Sequence, residues 1–188
     1  MLATRKRRGI CPGRDSSDAV IYRRYTPQDF APLYAIEERC FQPPFRFGRR
    51  LMRQLVDRAK AVTWIAEQDE RIAGFAIVEW TRRMGGVPSD GSWSLGCMSG
   101  VAAYIQTLEV LPEQRGRGIG NQLLGSIEGS ARSANAASIW LHVDEGNDRA
   151  VRLYEANGYI YQGREEDYYA LGRAALIYGK PLKLRTDR

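Results

Sequence analysis

One histidine, three cysteines and no long apolar run set the first limits on this 188-residue chain. His142 is the only histidine, and Cys11, Cys40 and Cys97 stand far apart, so no metal-ligand spacing occurs and no metal is expected. The odd cysteine count argues against a disulfide framework and fits a reducing cytoplasm. No stretch reaches the roughly 18 consecutive apolar residues of a transmembrane helix, so no membrane role is expected. The N-terminal MLATRKRRGICPGRDSSD is basic, then polar, and lacks the apolar centre of a secretory signal.

What is present fits one globular domain: 44% hydrophobic and 27% charged residues are enough for a core. The formal charge of +6 gathers in Arg5 to Arg8 and in Lys183, Arg185 and Arg188. It reads as solvated tails around a protein with an anionic ligand, in preference to a dedicated nucleic-acid surface. Residues 1–18 are expected to be disordered, 19–184 to form the domain, and 185–188 to be a tail.

Strand and helix patterns alternate along that domain. Val20 to Tyr25 reads as a strand, and Thr26-Pro27 opens a helix to about Phe41. Pro43-Pro44 breaks it before a second helix, Arg49 to Ala59. Val62 to Glu67 and Arg71 to Trp80 read as a hairpin around Gln68-Asp69-Glu70. The Gly- and Ser-rich stretch from Arg82 to Gly100 reads as a long loop or extended hairpin. A strand then ends at Val110, a helix runs from Gly118 to about Ala134, and Ser138 to Val143 is another strand. Asn147 caps a helix that Gly158 ends, and Tyr159 to Glu165 and Ala174 to Leu182 are the last strands.

The densest chemistry lies in Tyr104 to Gly120, YIQTLEVLPEQRGRGIG. A β-prone run, a turn at Pro112 and the Arg115-Gly116-Arg117-Gly118-Ile119-Gly120 cluster lead into a helix. Unpaired backbone N–H groups and the positive end of the helix dipole coincide there, which suits a phosphate, and two arginines flank the place. The glycines do not spell a Rossmann fingerprint, and the lysine and Ser/Thr of a P-loop are missing, since Asn121 and Gln122 follow.

Arg115-x-x-Gly118-x-Gly120 after a strand resembles the cofactor signature of the GNAT acetyltransferases. Asn147-x-x-Ala150-x-x-Leu153-Tyr154-x-x-x-Gly158-Tyr159 is similar to that family's second motif. The ending Tyr168-Tyr169, Ala174-Leu176 and Lys180-Pro181-Leu182 resembles its N-terminal protein acetyltransferases, both the bacterial ribosomal-protein type and the eukaryotic NatE catalytic subunit. The likeness covers about residues 20–182. It implies an α/β GNAT fold: a mixed, mostly antiparallel sheet of about seven strands flanked by about four helices.

The resemblance also implies acetyl-CoA as donor and assigns positions. Leu108, Glu109 and Val110 would bond the pantetheine and acetyl carbonyl through their backbone. Arg115, Gly116, Arg117, Gly118, Ile119, Gly120 and Asn121 would surround the pyrophosphate, and Asn147 would contact the cofactor. Tyr154 would lie near the thioester sulfur as the acid for the departing thiolate. Leu141-His142-Val143 matches the NatE subunit, in which the histidine works with a tyrosine on the preceding strand, here Tyr104. The ribosomal-protein type carries a glutamate base at the histidine position instead. Glu109 is a rival base, though its place on the cofactor strand reads as structure or charge pairing.

Phe41, Pro43, Pro44 and Phe45 fall where such enzymes line the slot for the first residue, with Tyr168 and Tyr169 opposite. The implied acceptor is a protein or peptide N-terminus, with ribosome association through the basic tails. A lysine or small-molecule amine, or a non-catalytic acetyl-CoA-binding module, are the alternatives.

Overall fold

The computed structural model describes residues 19–82 and 101–182. The expectations for the two basic tails and for the stretch from Arg82 to Gly100 lie outside those residues, Arg82 itself excepted. Strands β1 (Ile21–Arg24), β2 (Ala61–Gln68), β3 (Arg71–Arg82), β4 (Val101–Val110), β5 (Ser138–Asp144), β6 (Ile160–Ala170) and β7 (Arg173–Pro181) form one sheet in the order β1-β2-β3-β4-β5-β7-β6. Every pairing is antiparallel except β4 with β5. Helices α1 (Phe30–Cys40), α2 (Arg49–Val56), α3 (Ile119–Ser133) and α4 (Asp148–Ala156) flank it. No described helix is long and apolar enough to cross a membrane.

Local chemistry sets the helix ends. The Thr26 backbone N–H and hydroxyl both donate to Asp29 Oδ2, at 2.7 and 2.9 Å, and a short 3-10 turn at Pro27–Asp29 leads into α1. Arg23 clamps the same carboxylate and Glu67, tying β1 to β2 and to the start of α1. The chain turns extended at Phe41, and a cis bond joins Pro43 to Pro44 in the loop before α2.

Side-chain alternation splits the core into two layers. α3 buries Ile119, Leu123, Leu124 and Ile127, a stripe at helical spacing, against one sheet face. The same layer takes Ala76 and Val78 from β3, and Tyr154 from α4. Phe30 and Leu33 of α1 and Met52 and Leu55 of α2 cover the other face, against Ile65, Phe75 and Ile77. Each of the buried Val, Leu, Ile, Phe and Met side chains contributes about 1.5–3 kcal/mol. β6 runs on to Ala170, well past the expected end near Glu165, so Tyr168 and Tyr169 are strand residues. An irregular pairing between Glu165 and Ala170 gives that end freedom to turn its side chains inward.

Candidate active site

β4 and β5 are the one parallel pair among the described strands, and their ladder is short. It runs from Ala102 opposite Ser138 to Ile105 opposite Leu141, although β4 continues to Val110 and β5 to Asp144. The reason lies in their other partners. β5 follows β7 over its whole length, while β4 stays with β3 and carries a bulge at Gln106: Val78 pairs with Ile105, and Ile77 pairs with Thr107. A bulge bends and twists its strand, so β4 turns away from β5 at that point. A cleft of about 720 Å³ opens past the fork.

The floor and one wall are the residues expected to hold a cofactor. Leu108, Glu109 and Val110 line the cleft, with Arg115, Gly116, Gly118, Ile119, Gly120 and Asn121 at the start of α3 and Asn147 across from them. Gly116 and Gly118 have φ of 79° and 82°, a left-handed backbone that disfavours any side chain. A Cβ there would meet nothing within 4 Å, so the glycines serve the backbone conformation and leave the turn bare. The first N–H groups of α3 have no intrahelical partner. That bare, left-handed turn beside a strand end fits a pyrophosphate. Asn147 Oδ1 accepts the Ala150 N–H at 3.2 Å, which caps α4. The Asn157 side chain donates to Asn121 Oδ1 at 3.0 Å and ties the two helices together.

At the fork itself stands a polar cluster. Tyr104 sits one step before the end of the ladder, opposite Trp140, and His142 is the first residue past it on β5. Tyr104 Oη lies 3.1 Å from His142 Nδ1 and 3.2 Å from Tyr168 Oη. The Tyr168 ring stacks on His142 with centroids 4.3 Å apart and 7° between planes. Trp140 packs against Tyr104 from the other side. His142 Nε2 lies 3.1 Å from Glu165 Oε2. Burial lowers the His142 pKa below its ordinary 6.5, with Glu165 pulling the other way. Burial, followed by the bond to Tyr168, raises the Tyr104 hydroxyl far above its usual value, so it stays protonated.

Comparisons with known proteins agree on the framework. The model of the acetyltransferase (GNAT) family matches residues 30–159. The chain belongs to the GNAT acetyltransferase family. N-alpha-acetyltransferase 60 of Xenopus tropicalis is 29% identical over 138 residues, 71% of this chain and 57% of that protein. Streptothricin acetyltransferase of Streptomyces lavendulae is 34% identical over 104 residues, 54% of this chain and 45% of that one. The chain thus spans about half the length of these curated relatives. Among solved structures, Arabidopsis thaliana NAA60 with a bisubstrate analogue superposes with a TM-score of 0.74 at 23% identity, covering 87% of this chain and 98% of that one. That likeness shows the fold.

Within this GNAT domain several residues sit differently from their expected places. Arg117 does not line the cleft; its guanidinium bonds Gln68 and Gln114 on the far side of the turn. The left-handed Gly116 and Gly118 on either side swing it away. Arg115 lines the cleft, but its Nε donates to the Val110 carbonyl at 2.9 Å, so that carbonyl is already engaged. Positive charge along the cleft therefore comes from Arg115, from Arg149 and Arg152 of α4, and from the N-terminal end of α3. Tyr154 is buried in the core layer against Tyr159 and is not among the residues lining the cleft, although its neighbour Leu153 is. Burial raises its hydroxyl pKa, which keeps it protonated.

In the loop after α1, Phe41 and Phe45 line the cleft with Cys40, while Pro43 and Pro44 shape the loop from outside it. Tyr169 packs on Phe45 with centroids 5.0 Å apart. Three residues escaped the sequence reading. Trp140 and Glu165 complete the surroundings of His142, and the acidic Glu165-Glu166-Asp167 run just before Tyr168 was the available signal. Glu37 is fully buried and faces Glu109: its Oε1 accepts the Phe47 N–H at 2.6 Å. Each of the two carboxyls keeps one buried oxygen without a protein donor. Burial and the bond to Glu37 hold the Glu109 pKa well above the carboxylate range. Both causes favour the protonated form of Glu109, which supports its structural reading over that of a rival base.

Proposed function

We propose that this chain transfers an acetyl group from acetyl-CoA to the α-amine of a protein or peptide N-terminus. The observation that carries this reading is the Tyr104–His142 pair, 3.1 Å apart at the fork between β4 and β5, although neither side chain is among those lining the cleft. Acetyl-CoA supplies an activated acyl group; the bare turn at Gly116–Asn121 would hold its pyrophosphate, and the free edge of β4 at Leu108–Glu109 its pantetheine.

A protein α-amine titrates near 7.7–8.0 and a lysine near 10.4, so an α-amine asks much less of its base. An imidazole whose pKa burial has lowered is neutral near pH 7 and can accept that proton. As the amine nitrogen bonds to the acetyl carbon and the carbon–sulfur bond breaks, the amine proton passes by way of water and Tyr104 to His142 Nδ1. The thiolate takes its proton from water in the cleft, since the Tyr154 hydroxyl is buried in the core layer and does not line the cleft. The apolar Phe41 and Phe45 favour a first residue that is Met or small. Names of neighbours support this acceptor class: NAA60 of Arabidopsis thaliana, and the ribosomal-protein-S18-alanine N-acetyltransferase of Escherichia coli, at a TM-score of 0.70 and 20% identity. Action in the cytoplasm and contact with ribosomes through the basic tails belong to the same proposal.

Acetyl-CoA turnover against peptides varied at their first two residues tests it, with lysine peptides, polyamines and streptothricin as competitors. N-terminal peptides are expected to turn over best. His142→Ala and Tyr104→Phe should each lower kcat about a hundredfold, within the usual range for a lost acid–base group. Tyr154→Phe tests the acid role that the family resemblance gives Tyr154: a side chain buried outside the cleft lining is expected to leave kcat near wild type, and a large loss would restore it as the acid. Preference for a small amine with every peptide inert would overturn the acceptor assignment; full kcat in both Tyr104 and His142 variants would overturn the base.

A further inference from the structure

The end of β6 does more than close the acceptor slot. Among the described residues, the groups around the His142 ring divide cleanly. From β4 it meets Tyr104, and from β5 Trp140 packs beside it. From β7 its cross-strand partner is the apolar Ile177. From β6 come Glu165 at Nε2 and Tyr168 stacked on the ring face, with Tyr169 packed edge-on against Tyr168. The nearby charges are paired elsewhere: Asp144 takes Arg173 at 2.7 Å, and Glu145 takes Arg164 at 2.9 Å. Glu165 is thus the one carboxylate placed on the imidazole.

We propose that Glu165 is a positioning residue that fixes the His142 tautomer and opens a proton exit, completing a Glu165–His142–Tyr104–Tyr168 relay. This rests on the reading of His142 as the base. The Glu165 carboxylate is acceptor-only, so Nε2 must carry a hydrogen and donate it. Nδ1 is then bare and faces Tyr104, whose hydroxyl is held protonated and donates to it. Tyr168 in turn donates its hydroxyl to Tyr104 Oη. The opposite tautomer would set a bare Nε2 against a carboxylate, lone pairs facing lone pairs, and would leave no acceptor on the Tyr104 side.

The proton balance follows. Tyr104 gives its proton to Nδ1 as it takes the one released from the amine, and His142 becomes an imidazolium between the tyrosine and a carboxylate. The positive charge is met at once by Glu165. The His142 side chain is 9% exposed and that of Glu165 is 54% exposed, so the surplus proton has a path from the buried ring to solvent through Nε2. Without Glu165 the burial of His142 would oppose formation of the imidazolium unaided.

His142 is the chain's only histidine, so its ring nitrogens can be followed in tag-free protein without assignment. The experiment is a nitrogen-detected NMR titration of wild type, Glu165→Gln and Glu165→Asp, paired with pH profiles of kcat on the best acceptor peptide. In wild type the neutral ring is expected as the Nε2–H tautomer. Glu165→Gln should lower the His142 pKa, move the rising limb of the kcat profile to lower pH and cut kcat about tenfold, with KM for acetyl-CoA unchanged. Glu165→Asp should bring the titration back toward wild type. An Nδ1–H tautomer in wild type, or the same His142 titration in all three proteins, would overturn the proposal whatever the acceptor proves to be. If the NMR result holds but His142→Ala keeps full turnover, the base assignment fails, and Glu165 loses its catalytic part with it.

Discussion

Replacing Glu109 by Gln should make the protein relatively more stable as pH rises, and the size of the effect follows from two buried side chains. Glu109 is 2% exposed and Glu37 is 0% exposed, each with one oxygen that no protein donor reaches. A proton on Glu109 supplies the missing donor, which is why burial and Glu37 together hold its pKa well above 4.5. In the unfolded chain the same carboxyl ionises near 4.3. The folded state therefore keeps a proton that the unfolded state loses, and stability must fall as pH rises from about 4.5 toward the folded pKa. One proton corresponds to about 1.4 kcal/mol per pH unit over that window. Glutamine has the same shape, stays neutral and can donate an N–H to Glu37, so Glu109→Gln removes this slope and little else. Chemical denaturation of both proteins at pH 5, 6, 7 and 8 gives the difference directly, because the titrating groups outside the Glu37–Glu109 pair cancel. The variant should gain on wild type by about 1.4 kcal/mol per unit until the gap levels off at the folded pKa. Parallel curves would show that Glu109 is ionised in the fold, and would restore it as a rival base. Retained kcat in the variant is the matching kinetic expectation.

Other consequences are simpler to state. Gly118→Ala forces a side chain onto a φ of 82° with nothing within 4 Å to clash; a cost of about 1–2 kcal/mol in thermal unfolding and weaker acetyl-CoA binding by calorimetry are expected, and unchanged affinity would deny the turn its role. Gly74→Ala places a Cβ 2.5 Å from the Glu109 carbonyl, behind the cleft, so β4 must shift; a loss of about 1–3 kcal/mol together with a raised KM for acetyl-CoA is the expected outcome. Asp29 has its pKa lowered to about 2 from 3.8, chiefly by the Arg23 guanidinium, so its contribution is present above pH 4 and disappears as pH falls toward 2. Asp29→Asn should therefore cost about 2 kcal/mol at pH 7 and only about 0.4 kcal/mol at pH 2, and a gap independent of pH would refute the charge argument.

Much of the fold was legible because its signals are local. A capping threonine with Pro27, the stripe Ile119, Leu123, Leu124 and Ile127, and Gly116 and Gly118 before a helix all act within a few residues of themselves. The side-chain contact of Tyr104 with His142, 38 residues apart, was legible only through a matching motif. What stayed hidden depends on register. A single bulge at Gln106 decides which face each later β4 residue takes, and it returns Glu109 to the layer that holds Glu37. Nothing in one sequence marks that bulge. Glu165 reaches His142 only because β6 pairs with β7 and β7 with β5, so two registers must be known before the contact can be drawn. Arg117 looked like an anion ligand because charge is visible in a sequence, whereas the left-handed turn that aims it elsewhere is not.

The position of the chemistry follows from the same registers. An antiparallel neighbour would have carried β5 along β4 to its end and left no backbone edge free. A parallel ladder that stops at Ile105 and Leu141 lets β5 follow β7 instead, and the free edges of both strands face one cleft. The glycine turn then belongs to the β4 side and His142 to the β5 side, while Tyr104 stands one step before the last paired level and reaches across. A residue at that level is held by strands on both sides, Glu79 on β3 and Trp140 on β5. Any motion that widened the cleft would pivot about this point and change the Tyr104–His142 distance least. The fork can thus open while the Tyr104 and His142 side chains keep hydrogen-bond contact.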